Sequence, residues 1–60
     1  MKQEYYTENR KIVTEYVENN LTLFFTNLNE AIEKGVDLNT YHYEMFNEKM
    51  EFIGYGVPRK

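Results

Sequence analysis

His42 is the only histidine in 60 residues, and with ten carboxylates and six tyrosines it makes up most of the proton-exchanging chemistry of the chain. Alone it could serve as a general base. Its place between Tyr41 and Tyr43, on what reads as the inner side of a helix, fits a packed, hydrogen-bonded core histidine better. One histidine excludes HExxH zinc sites and two-histidine ligand sets, and a Glu-x-x-His pair would need a glutamate where Asn39 stands. The absence of cysteine removes disulfides and thiolate metal sites. Serine is absent too, so nucleophilic catalysis would fall to threonines on expected helix surfaces. Gly35, Gly54 and Gly56 form neither GxGxxG nor GxxxxGK, which excludes a phosphate loop. The expectation is a non-enzyme, with no catalytic residue, no metal and no cofactor.

What remains is binding chemistry. Glu44, Glu48 and Glu51 are spaced four and three apart, which would align them along one helix face, either solvated or turned to a basic partner. Tyrosine suits interfaces because it combines apolar area, a polar tip and little rotamer entropy. Tyr55, between two glycines and followed by Val57-Pro58-Arg59-Lys60, could dock as an extended tail. Tyr41, Tyr43, Glu44, Glu48, Glu51 and Tyr55 are therefore the expected partner-binding residues. The formal charge of −3 and a pI near 5.0 oppose binding to phosphate backbones, and the seven bases are dispersed along the chain.

To position these side chains the sequence suggests helices. At about 100° per residue, Tyr5, Tyr6, Ile12, Val13, Tyr16, Val17, Leu23, Phe24, Leu28 and Ala31 fall in one arc. Glu8, Lys11, Glu15, Glu18, Thr22, Thr26, Asn29 and Glu33 lie opposite, as an amphipathic helix requires. No glycine or proline precedes Gly35, which is well placed as the C′ residue of such a helix beside Lys34. The arc rotates at Asn19-Asn20, where a break is open. After a link with three candidate N-caps, Asp37, Asn39 and Thr40, a second helix would place Leu38, Tyr41, His42, Met45, Phe46, Phe52 and Ile53 on one side and end at Gly54.

The fold expected is an all-α helical hairpin, or a three-helix variant, with residues 1–54 as one helical domain and 55–60 as a C-terminal tail. A continuous helix over 3–34 would be about 48 Å long against about 22 Å for the second. Half its apolar stripe would lie bare, which predicts a homodimeric bundle joined through Tyr16, Val17, Phe24 and Leu28. The layout is similar to small helical-hairpin regulators such as the sporulation aspartyl-phosphate phosphatases. Their Ser-Gln-Glu-Leu-Asp motif is missing at the corresponding stretch, Tyr43-Glu44-Met45-Phe46-Asn47, so no family follows.

The function expected is a small regulator or inhibitor that binds a larger protein through helix-face and tyrosine contacts. Its composition suits a phage or bacterial accessory factor. The alternative is a dimeric DNA-binding regulator with Arg10, Lys11, Arg59 and Lys60 at the phosphates. Met1 to Arg10 is too polar for a secretory leader and no apolar run approaches the eighteen or so residues that span a bilayer, so a cytoplasmic protein away from membranes is expected.

Overall fold

The computed structural model describes residues 3–59. Five short elements follow one another: α1 (Thr14–Glu18), β1 (Thr22–Phe25), α2 (Leu28–Glu33), β2 (Tyr43–Phe46) and β3 (Phe52–Pro58). The strands form one antiparallel sheet in the order β1-β3-β2. This overturns the all-α helical hairpin: the fold mixes a three-stranded sheet with two short helices. The expected second helix is a hairpin instead, and the expected tail from Tyr55 to Pro58 is the second half of the central strand. Aromatic and β-branched residues at Tyr43, Phe46, Phe52, Ile53, Tyr55 and Val57 suit a pleated surface. Glycine at 54 and 56 makes a helix there costly.

The hairpins are hard to see in the sequence because their turns carry no glycine. In the β2–β3 turn, the Asn47 amide donates to the Glu51 carbonyl (3.0 Å) and the Met50 amide to the Asn47 carbonyl (2.9 Å). The N-terminal turn repeats this geometry, Thr7 N–H to the Lys11 carbonyl (2.9 Å) and Arg10 N–H to the Thr7 carbonyl (2.8 Å). Met50 and Arg10 both sit at φ +61°, the left-handed position of a three-residue hairpin loop. Asn47 Oδ1 braces its turn by accepting the amides of Lys49 (2.9 Å) and Glu51 (3.0 Å). Just before the N-terminal turn the chain joins the sheet, where Tyr6 and Phe46 exchange two backbone hydrogen bonds of 2.8 Å along the outer edge of β2.

Both helices end alike. Asn20 at φ +60° and Gly35 at φ +81° are the left-handed C′ residues of α1 and α2. Each helix closes with a 6→1 bond, Leu21 N–H to the Tyr16 carbonyl (2.8 Å) and Val36 N–H to the Ala31 carbonyl (3.0 Å). The first helix thus stops at Asn19-Asn20, and the chain needs a new cap to start α2. Asn27 supplies it, accepting the Glu30 amide at 2.8 Å, while the Glu30 carboxylate accepts the Thr26 hydroxyl at 2.5 Å. That hydroxyl holds the Glu30 carboxyl below its ordinary value of 4.5, with Lys34 at 3.6 Å adding to the effect. Asp37, a candidate N-cap by sequence, holds a turn instead, accepting the Asn39 amide at 2.9 Å. No helix among the described residues is long and apolar enough to cross a membrane.

Packing uses both faces of the sheet. On one face Phe25 and Val57 meet Ala31 of α2, with Leu23, Val36 and Leu38 around them. On the other, Thr22, Phe24, Tyr43 and Met45 lie over Gly54 and Gly56 of the central strand, and Phe24 packs on Tyr5 with ring centroids 5.3 Å apart. Met45 is wholly buried. A Cβ on Gly56 would fall 2.7 Å from the Met45 sulfur and 2.9 Å from the Tyr43 ring. One on Gly54 would strike the Phe25 carbonyl oxygen and sit 2.9 Å from the Phe24 ring.

Two outcomes follow for thermal or urea denaturation followed by circular dichroism. Gly54→Ala should cost more than Gly56→Ala, about 3 kcal/mol or more against 1–2, because a backbone carbonyl cannot yield as side-chain ends can. Met50→Gly should stabilise by up to about 1 kcal/mol, since it relieves a left-handed residue at an exposed turn. A loss of stability there would refute the turn geometry.

Candidate functional site

The side chains of β2 and of the residues just before it alternate across the sheet. Tyr41 and Tyr43 fall on the Met45 side with ring centroids 6.0 Å apart. His42 and Glu44 fall on the other, where Glu44 stands directly opposite Tyr55. His42 meets the Tyr55 ring edge-on at 5.9 Å. Its Nδ1 lies 3.2 Å from the Thr40 carbonyl; a carbonyl only accepts, so in the neutral ring Nδ1 carries the proton and Nε2 is left as an acceptor. Between Met45 and Phe46 the register slips by one residue, with Phe46 opposite Phe52. Ile53 is thus extra on β3, and Phe52 turns to the side of Tyr55. An edge-to-face aromatic run results, Tyr55 to Phe52 at 5.2 Å and Phe52 to Phe46 at 6.0 Å.

Two hollows flank this edge. A cleft of about 580 Å³ separates the Thr7–Lys11 turn from the 41–44 segment, with Tyr55 behind it. Glu8 and Glu44 bring carboxylates to it and Lys11 an ammonium. The second hollow, of about 460 Å³, is more apolar and lies among Val13, Tyr16, Leu21, Tyr41, Tyr43 and Pro58, with Arg59 beside it. Tyr41 and Tyr43 border both. Tyr41 is 70 % exposed, Tyr16 51 % and Leu21 50 %, so three large apolar side chains stand at one hollow.

Of the expected partner-binding residues, Tyr41, Tyr43, Glu44 and Tyr55 therefore line one cleft. Glu48 and Glu51 do not join them. Both lie in the β2–β3 turn, where Glu51 Oε1 accepts from the Asn47 side-chain Nδ2 at 3.0 Å; the acidic line presumed a helix that is a hairpin. The expected self-association face also divides. Tyr16 and Val17 are on α1, Phe24 packs inward on Tyr5, and Leu28 opens α2. The expected arc presumed one helix through residues that two short helices and a strand carry. Leu21, Glu8 and His42 join these hollows only through the turn and the sheet edge, which residue type and helical spacing do not reveal. Of the bases in the DNA-binding alternative, Arg10 and Lys11 are in the first turn, Arg59 borders the apolar hollow, and Lys60 lies outside the described residues. Among the described residues no group of three or more histidine and acidic side chains is placed to hold a metal ion. Comparison with protein families, with characterised proteins and with solved structures returns no match.

The two tyrosines two positions apart should respond oppositely to truncation. Tyr41→Ser should leave stability within about 0.5 kcal/mol of the wild type. Tyr43→Ala, which uncovers Gly56 and removes the hydroxyl that donates to Thr22 Oγ1 at 3.2 Å, should cost about 3 kcal/mol. Urea titrations of the two variants make the comparison.

Proposed function

We propose that this chain is a non-catalytic protein-binding module, a regulator or inhibitor that seats a larger protein on the tyrosine-lined edge of its sheet. The observation that carries the reading is the hollow flanked by exposed Tyr16, Leu21 and Tyr41. Large side chains left in water at one concavity are a cost to a free chain and a source of affinity to a docked one. Tyrosine adds a hydroxyl that can stay hydrated at the rim.

The ground for expecting a homodimer is gone. That expectation rested on the bare stripe of a long helix, and α1 and α2 are five and six residues long. The DNA-binding alternative gains nothing from the geometry either. Lys11 shares its cleft with Glu8 and Glu44, so no uniformly basic surface forms there.

Affinity capture with the double variant Tyr16→Ser/Tyr41→Ser tests the reading, after circular dichroism has shown that the fold is kept. A partner held in stoichiometric amount by the wild type should bind the variant about tenfold more weakly or worse. Equal capture by both proteins would overturn it.

A further inference from the structure

We propose that the cleft between the Thr7–Lys11 turn and β2 receives a positively charged side chain, an arginine or lysine on an extended segment of the partner protein. This deepens the reading above and rests on it. Three features meet in the cleft.

The first is an open stretch of sheet edge. The Arg59 amide donates to the Leu21 carbonyl at 2.7 Å, which directs the peptide groups of Tyr55 and Val57 toward β1 and those of Gly54 and Gly56 toward β2. In β2 the peptide groups of Tyr43 and Met45 then point inward, and those of Glu44 and Phe46 point outward. Phe46 is satisfied by Tyr6. The ladder would next put Glu8 opposite Glu44, but there the chain has entered its turn and leaves the edge. Among the described residues, the outward N–H and C=O of Glu44 have no partner.

The second feature is aromatic. Tyr41, Tyr43 and Tyr55 all border the cleft, and ring faces attract ammonium and guanidinium groups through their quadrupoles. The third is charge. Glu8 and Glu44 outnumber Lys11, and neither carboxylate has an ion-pair or hydrogen-bond partner among the described residues. A guanidinium donates at several points and accepts at none, so it matches two carboxylates and an outward carbonyl. An extended segment would add its own backbone to the peptide group of Glu44.

Titration of the ¹⁵N-labelled protein, followed by amide chemical shifts, tests this with capped Gly-Gly-Arg-Gly-Gly, its glutamate counterpart and choline. The arginine peptide should shift the amides at 7–11, 41–44 and 55, and added salt should reduce the effect. The double variant Glu8→Gln/Glu44→Gln, its fold verified in the same spectra, should bind about fivefold more weakly. The glutamate peptide should bind no better than the variant binds arginine. No localised shift, or equal shifts with the acidic peptide, would overturn the assignment. Shifts with choline but none with the arginine peptide would overturn a protein source for the cation. If the partner captured through Tyr16 and Tyr41 is held equally by Glu8→Gln/Glu44→Gln, the inference fails while the binding reading stands; if capture ignores the tyrosines, the reading itself fails.

Discussion

Closeness of approach over the central strand is the constraint from which the rest of the structure follows. β3 is paired on both sides, and two of its residues, Gly54 and Gly56, have no side chain where Phe24, Tyr43 and Met45 cross it. A short chain without disulfides must gather its apolar surface tightly to offset the entropy of folding. Here large side chains from the edge strands pack against the glycines, and Met45 among them is completely buried. Glycine weakens a strand by propensity, and in β3 that loss is offset by the contacts it permits. The other face is closed by α2, whose Ala31 lets the helix approach Phe25 and Val57.

The corner proposed as a binding surface arises from the same packing. Tyr43 is drawn over Gly56 while Tyr41, two residues earlier and beyond the last β2–β3 pair, is left in water. The N-terminal segment adds itself to β2 only at Phe46, then turns at Thr7. Sheet, turn and tyrosines therefore diverge at one corner, and the cleft and the apolar hollow are the spaces between them. A protein docked as proposed would contact every part of that corner.

Part of this was legible in the sequence. Gly35 reads as a helix C′ residue and is one; Asn19-Asn20, open in the sequence as a break within one long helix, closes a helix of only five residues, with Asn20 in the left-handed conformation that asparagine tolerates. Tyr41, Tyr43 and Tyr55 stand out by residue type, whereas Glu44 stands out only through a helical spacing that the hairpin does not keep. The sheet was not legible, for two physical reasons. Strand turns normally announce themselves by glycine at positive φ, and here Arg10 and Met50 occupy those positions, with Thr7 and Asn47 closing the turns. Strands of four residues are also too short to separate a period of two from a period of 3.6. The carboxylates at 44, 48 and 51 look aligned only under the longer period. Under the shorter one, broken by a turn, they part.

The pairing of the C-terminal segment as the central strand is the claim on which both the core and the cleft stand, and two-dimensional proton NMR reaches it directly. The account requires Hα–Hα cross-peaks between Phe24 and Gly56 and between Glu44 and Tyr55, the closely spaced non-hydrogen-bonded pairs of the two ladders. Sequential amide–amide cross-peaks running unbroken from residue 41 to 53, with no contact from Gly56 to either neighbour, would be the signature of a helix and a free tail, and would contradict it.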